Sequence, residues 1–189
     1  MRPVHKQIDN LLTQEECMAI RTYFLDKDDW QPATIYTDGD IGKNETVPEH
    51  RKGNVMFDQG IIPYTSKLVA AMEQYAARTN IQLIADKIDW QFVKYEVGDH
   101  FGEHHDAYLT PTNFRSDIRK VSMTVQLSEP EDYKGGILRV MTSYDTFAHI
   151  NRYIGTAAIF PSWLEHSVTK VEQGTRYALV AWYRGPFWT

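Results

Sequence analysis

Cysteine is almost absent from this chain: Cys17 stands alone among 189 residues, so no internal disulfide can form. A lone thiol is typical of proteins from a reducing compartment. No run of apolar residues approaches the length that is needed to span a bilayer. The opening residues also lack the apolar core of a secretory signal peptide. We therefore expect a cytoplasmic protein that makes no membrane contact.

Basic charge is also scarce. The chain has 20 Lys and Arg residues against 25 Asp and Glu residues, which gives a formal net charge of −5 at pH 7. Binding along a nucleic-acid backbone needs a positively charged face, so we expect no nucleic-acid partner. The apolar content of 42% is ordinary for a globular protein. The length predicts one domain over residues 1–189.

The N-terminal part of the chain predicts two helices separated by a polar segment. Thr13 and Glu16 have the spacing of a capping box, which predicts a helix of about three turns that begins at Thr13. A second helix is predicted over about 64–79, where apolar residues recur at helical spacing. Between the helices, the polar region 38–53 carries Gly and Pro and predicts a loop or a loose hairpin.

After residue 80 the pattern changes to strands that are separated by Gly, Pro, Asn and Asp. Strands this short and this evenly spaced are typical of a closed barrel or a double-sheet jelly roll. We therefore predict a mainly β fold with flanking helices, in which the two helices cover the outer face of one sheet. The predicted strands lie at about 89–97, 103–109, 118–128, 136–141, 145–149, 155–160, 164–170 and 175–184.

Two of these strands predict a polar interior. One alternates apolar residues with Ser122, Thr124 and Gln126, so that its apolar face suits packing under helices and its polar face suits lining a cavity. The last strand places Arg176 on the same face as Trp182. A buried arginine needs an anionic partner, which is either another side chain or the carboxylate of a ligand.

Candidate metal ligands are concentrated in the run from Tyr95 to Tyr108. If this run is extended, the side chains of His104 and Asp106 point the same way. A third imidazole, from His166, would complete the two-His-one-carboxylate face of non-haem Fe(II) sites. A His-rich loop can equally be polar surface, and H-x-D spacing alone is too common to decide between the two.

Further motifs follow this run at regular spacing. They comprise Tyr95, Gly98, Phe101, His104 and Asp106, then Asp132-Tyr133-x-Gly135-Gly136-x-Leu138, then Gly155, Pro161, Ser162 and His166, and lastly Gly174-x-Arg176. In order and spacing the set resembles the Fe(II)/2-oxoglutarate-dependent dioxygenases, and among them the prolyl 4-hydroxylase-like branch. The resemblance implies a double-stranded β-helix (jelly-roll) core over 81–189. The N-terminal helices would pack on its major sheet, within a region of helical support and loops (1–80).

The resemblance also implies the roles of individual residues. His104, Asp106 and His166 would bind Fe(II), and Arg176 would hold the distal carboxylate of the co-substrate 2-oxoglutarate, so these four would be catalytic. Gln126 stands where the hypoxia-sensing prolyl hydroxylases have a tyrosine that assists the arginine. The resemblance implies five further pocket residues: Tyr95, Thr124, Leu138, Val168 and Trp182. For Leu138, Val168 and Trp182, core packing alone is an equal explanation.

The implied activity is hydroxylation of an unactivated C–H bond with 2-oxoglutarate and O2, with release of succinate and CO2 and with ascorbate as a reductant. The expected substrate is a prolyl residue in a peptide or protein, and a free amino acid or other small metabolite is the alternative. Two other classes of protein are alternatives. One is a cupin-type metal protein, although cupins usually carry H-x-H instead of H-x-D. The other is a non-catalytic binding module, although such modules usually lack a metal ligand. No oligomeric state is predicted.

Overall fold

The computed structural model describes residues 4–37, 43–58, 62–107, 117–144 and 146–187. These residues form two helices, α1 (Gln14–Leu25) and α2 (Thr65–Thr79), and sixteen strands. The strands are β1 (Lys6–Ile8), β2 (Gln31–Pro32), β3 (Ile35–Thr37), β4 (Lys43–Glu45), β5 (Arg51–Lys52), β6 (Asn54–Asp58), β7 (Ile88–Tyr95), β8 (His100–His104), β9 (Asp117–Gln126), β10 (Tyr133–Gly135), β11 (Leu138–Ser143), β12 (Thr146–His149), β13 (Ala157–Pro161), β14 (His166–Val168), β15 (Val171–Gly174) and β16 (Arg176–Pro186).

Two antiparallel sheets form the core. The large sheet has seven strands in the order β1-β13-β9-β16-β7-β6-β2, and the small sheet has five in the order β12-β11-β14-β8-β5. Between the sheets lies an inner cluster of buried side chains, among them Val93, Leu138, Phe160 and Val168. The arrangement is the jelly roll that was predicted, with both helices on one side.

The two helices cover the outer face of the large sheet. Cys17, Ile20 and Phe24 of α1 are fully buried there, and the Phe24 ring stacks on Phe92 of β7 with a centroid separation of 4.8 Å. The start of α1 is the predicted capping box: Thr13 Oγ1 accepts from the Glu16 N–H, and Glu16 Oε2 accepts from the Thr13 N–H. Local sequence and tertiary packing therefore agree on both helices.

The two faces of β9 divide as the alternation predicts. Val121, Met123 and Val125 belong to the cluster beneath the helices. Ser122 and Gln126 point to the other side, where they hydrogen-bond to Asp106 and Arg176 respectively. A polar row therefore lines the interior between the two sheets.

Several predicted strand boundaries were wrong. The strand predicted at 103–109 lies at 100–104, and residues 108–109 are outside the described part of the chain. The strand predicted at 164–170 is shorter and consists of β14 (His166–Val168). The next strand, β15, is separate from it and pairs with the short β10, which was not predicted. The region 38–53 was predicted as a loop or a loose hairpin, and its strand β4 pairs antiparallel with β3, which precedes that region. The three-residue strands β10 and β14 carry too little alternation for their bounds to be read from the sequence.

Among the described residues, neither α1 nor α2 has the length and apolar character that a membrane-crossing helix requires. That residues 1–189 form one domain stays a prediction.

Candidate metal centre

Three predicted ligands meet between the sheets. The ligand atoms of His104, Asp106 and His166 all lie within 4.8 Å of one another. His104 Nε2 is 3.7 Å from Asp106 Oδ1, and His166 Nε2 is 3.4 Å from Asp106 Oδ2. The two histidines come from different strands, and the antiparallel register of β8 and β14 sets them directly opposite each other. Sheet pairing therefore joins residues that are far apart in sequence.

Asp106 reaches the same point by a different route from the one predicted. β8 ends at His104, so strand alternation does not place the carboxylate. Instead, the backbone N–H groups of Asp106 and Ala107 both donate to the Ser162 carbonyl, at 2.8 and 2.9 Å. The Ser122 hydroxyl then donates to Asp106 Oδ2 at 2.6 Å. The expectation that His104 and Asp106 point the same way is met, but for a tertiary reason.

Each imidazole is oriented by a backbone carbonyl. His104 Nδ1 lies 2.8 Å from the Gly102 oxygen, and His166 Nδ1 lies 2.9 Å from the Leu164 oxygen. A carbonyl can only accept, so in each ring Nδ1 carries a hydrogen, and in the neutral ring Nε2 presents a lone pair. Histidine ligands of metals are commonly fixed in this way.

Burial and the neighbouring charges together set the pKa values of the three groups. Burial lowers the pKa of His104, and the neighbouring His166 lowers it further. Burial would raise the pKa of the Asp106 carboxyl, but the His166 and His104 imidazoles outweigh that effect and hold it below its usual range. Burial likewise opposes the charged form of His166, yet the Asp106 carboxylate raises the pKa of that imidazole. The centre therefore favours an ionised carboxylate beside two imidazoles, which is a donor set suited to a divalent cation.

Arg176 lies 1% exposed on the interior side of β16. Within the described residues its guanidinium hydrogen-bonds to a neutral partner rather than to a carboxylate: Gln126 Oε1 accepts from Nε at 3.2 Å and from Nη2 at 2.9 Å. A buried guanidinium held only by an amide keeps the capacity to pair with an anion.

Two further buried donors have no partner in the described part of the chain. Gln126 Nε2 and the Tyr133 hydroxyl are both buried and unbonded. Gly136 lies between Tyr133 and Arg176, since a Cβ built there would be 3.0 Å from Arg176 Cδ and 3.3 Å from Tyr133 Cε2. A guanidinium with an amide N–H and a phenol O–H nearby fits the oxygens of a carboxylate.

The other predicted pocket residues line the interior around these groups. The Tyr95 ring lies 5.5 Å from Arg176 Cζ, and Thr124 is buried on the polar face of β9. Leu138 and Val168 face each other across β11 and β14 and are buried in the inner cluster, so core packing accounts for both. Trp182 is also buried, its Nε1 has no partner among the described residues, and Arg119 stacks on its ring at 3.6 Å.

Three contributions to the site were not foreseen from sequence. Ser122 was expected only to line the cavity, and it holds Asp106. Phe101 was noted only as part of a motif, and its ring stacks on His104 with a centroid separation of 3.4 Å. The Tyr133 ring lies near Arg176 across Gly136, and its position before the paired glycines offered a signal for it.

Comparison with known proteins gives the class to which this site belongs. A family profile described as the 2OG-Fe(II) oxygenase superfamily matches residues 90–184, half of the chain. A PKHD-type hydroxylase from Saccharophagus degradans is 30% identical over 184 residues, which are 93% of this chain and 76% of that relative. The chain belongs to the 2OG-Fe(II) oxygenase superfamily. The cofactors of this family, Fe(II), 2-oxoglutarate and O2, are those predicted.

Other relatives and solved structures extend the comparison. Three more PKHD-type hydroxylases match over only 40%, 40% and 41% of their own length. The structure of a prolyl-4-hydroxylase from Pseudomonas putida has a TM-score of 0.71 at 19% identity and covers 97% of this chain and 93% of that one. A prolyl hydroxylase from Trichoplax adhaerens, in complex with a hypoxia inducible factor peptide fragment, has a TM-score of 0.69 at 17% identity, with 96% and 83% covered. At these identities the likeness shows the fold.

Proposed function

We propose that this protein hydroxylates an unactivated C–H bond of a prolyl residue in a peptide or protein. The reaction consumes one O2 and one 2-oxoglutarate, places one oxygen atom in the new hydroxyl and the other in succinate, and releases CO2. The observation that carries the proposal is a largely buried face of two imidazoles and one carboxylate in the same interior as a guanidinium whose hydrogen bonds, among the described residues, go only to an amide.

In this proposal each group has one task. His104, Asp106 and His166 hold Fe(II), which together with 2-oxoglutarate supplies the oxidising chemistry when bound. Arg176 binds the distal carboxylate of 2-oxoglutarate, and the two unbonded donors of Gln126 and Tyr133 complete the carboxylate's hydrogen bonds.

The remaining residues keep the centre ordered. Ser122 holds the carboxylate of Asp106 in place. Burial of the inner cluster excludes bulk water from the reacting atoms. Ascorbate enters as a reductant that keeps the metal in the ferrous state.

The choice of a prolyl substrate is supported by the relatives. Several curated relatives are named PKHD-type hydroxylases, and the similar structures include prolyl hydroxylases, one of them with a peptide bound. A free amino acid or other small metabolite is the competing substrate class, because a guanidinium can equally hold a free carboxylate.

The test measures succinate release by the full chain with Fe(II), 2-oxoglutarate and ascorbate. The substrates are a library of proline-containing peptides and a panel of free amino acids, and Asp106→Ala serves as the inactive control. We expect succinate formation that depends on a peptide, together with a gain of one oxygen on proline in the mass spectrum. Turnover that is stimulated by a free amino acid and by no peptide would overturn the prolyl-peptide assignment.

A further inference from the structure

A second buried guanidinium lies close to the metal centre and belongs to neither the metal ligands nor the co-substrate pocket. Arg51, the first residue of β5, is 9% exposed. Its Nη1 donates to the Thr34 carbonyl at 2.7 Å, and its Nη2 donates to Gln91 Oε1 at 2.9 Å. Its Nε is buried and has no partner among the described residues. The Arg51 cation is therefore held by neutral oxygens. Burying a charge without a counter-charge costs folding free energy, which suggests that this side chain has a further role.

The flat face of Arg51 lies against Phe101. Its Cζ is 4.3 Å from the centroid of the Phe101 ring, because β5 and β8 pair with Arg51 opposite Phe101. The same ring stacks on the His104 imidazole with a centroid separation of 3.4 Å and an interplanar angle of 13°. At that separation the imidazole covers one face of the ring, which leaves the other face to the guanidinium. The three planar groups thus form one stack that ends at a metal ligand.

The surroundings of this stack are tightly constrained. The Gly102 N–H donates to the His50 carbonyl at 2.7 Å, and the His50 ring meets the edge of Phe101 at 5.9 Å. A Cβ at Gly102 would come within 2.8 Å of His50 Nδ1, so only glycine permits this approach. The partly buried Phe101 ring is therefore in contact with Arg51, His104 and His50.

We propose that Arg51 is a positioning residue for the metal centre. It holds the plane of Phe101, and Phe101 in turn holds the plane of His104. The Gly102 carbonyl fixes the imidazole at Nδ1 but leaves rotation about that hydrogen bond, and the stack removes this freedom. The inference rests on the proposed function, since it takes His104 to be a metal ligand.

Arg51 also connects the centre to the chain ahead of β3. Thr34, whose carbonyl Arg51 holds, comes directly before β3, which pairs with β4. Gln91, its other acceptor, lies on the large sheet. The orientation of His104 therefore depends on two segments that do not touch the metal.

The variants Arg51→Met, Arg51→Lys and Phe101→Leu test this proposal. Methionine keeps length and apolar contact but removes the cation and its hydrogen bonds, lysine keeps the charge without the planar face, and leucine removes the ring. Arg21→Met is the matched control, because Arg21 also stacks on an aromatic ring, that of Tyr177 at 4.7 Å, and donates to a backbone carbonyl, but on α1. The probe is Co(II) alone, measured by titration calorimetry and by the visible absorption of the bound ion, with thermal unfolding of the metal-free form as a check of folding.

We expect Arg51→Met and Phe101→Leu to weaken Co(II) binding by about tenfold or more and to alter the absorption of the bound ion, as loss of a residue behind a ligand commonly does. Arg51→Lys should lie between these variants and the wild type, and Arg21→Met should bind within about twofold of it. Arg51→Met and Phe101→Leu that fold and bind Co(II) with wild-type affinity and spectrum would overturn the proposal. If Arg51→Met does not fold, Arg51→Lys and Phe101→Leu decide by the same criteria. Failure of the wild type itself to bind Co(II) would overturn the proposed function, and this inference with it.

Discussion

At the residue scale, the most informative feature is a buried cation that lacks a carboxylate. Arg176 is held by Gln126 alone within the described residues, and the amide N–H of the same glutamine is left unbonded. A side chain that accepts from an arginine and has a donor to spare can bridge that arginine to a carboxylate. Gln126 can therefore do the work of the tyrosine that the resemblance leads one to expect at its position.

This arrangement predicts how 2-oxoglutarate binding responds to substitution. Arg176→Lys keeps the charge but loses the planar fork, and Gln126→Leu keeps the shape but loses the amide. We expect Arg176→Lys to raise the KM for 2-oxoglutarate by about 100-fold and Gln126→Leu by about tenfold, since hydrogen bonds to charged groups contribute about 1.5–3 kcal/mol each. Calorimetry with Co(II) should show metal binding within about twofold of wild type in both variants. Unchanged co-substrate affinity in Arg176→Lys would mean that the carboxylate is bound elsewhere.

At the element scale, α1 seals the outer face of the large sheet and buries Cys17 there. The thiol is 0% exposed and points its hydrogen to the Gln126 carbonyl at 3.8 Å. Burial raises the pKa of this thiol to about 12, and the carboxylates of Glu16 and Glu129 add to the effect. Position in the fold thus makes the chain's one cysteine a packing residue.

The pKa of Cys17 predicts that the folded protein is inert to thiol reagents. The thiolate is the reactive form, and at pH 8 a thiol with a pKa of about 12 is ionised in about one molecule in ten thousand. We expect labelling by a chromogenic disulfide to be slower by several orders of magnitude than for the chain unfolded in guanidinium chloride. Labelling of the native protein at the rate of a free thiol would show that α1 does not stay packed on the sheet.

At the scale of the whole molecule, the metal centre joins the two sheets. His104 and His166 belong to the small sheet, whereas Asp106 is fastened by Ser122 to the large one. A metal ion held by all three would therefore connect the layers, and it would bind the folded chain much better than the unfolded one. Ligands of this kind stabilise by mass action.

Metal addition is accordingly predicted to raise the Tm. At a metal concentration of 100 times the Kd the gain is about 2.7 kcal/mol, which corresponds to a rise of about 5–10 °C for a chain of this size. The rise should vanish in His104→Ala and persist in His105→Ala, because the side chain of His105 is exposed. Differential scanning fluorimetry with Mn(II), and with excess chelator as the reference, makes the comparison. An equal loss in both variants would contradict the assignment of His104.

The sequence by itself determined the elements whose signals are local. The capping box at Thr13, the helical spacing in α2 and the alternation in β9 each depend on neighbours within a few residues, and all three are present. The spaced motifs also pointed to His104, Asp106, His166 and Arg176, because the types and order of chemically distinctive residues can be recognised without coordinates.

Only the tertiary structure decided how those residues meet. The hydrogen bonds that bring Asp106 to the histidines come from Ser162 and Ser122, and the stack that ends at His104 begins at Arg51. The resemblance placed Gln126 at the arginine. It did not predict that one donor of the Gln126 amide has no hydrogen-bond partner among the described residues. Such contacts join residues that are distant in the chain, and their geometry follows from sheet register and packing. Alternation in the sequence fixes which face of a strand is buried, but the pairing of His104 with His166 joins strands that are far apart in the chain and follows only from the folded structure.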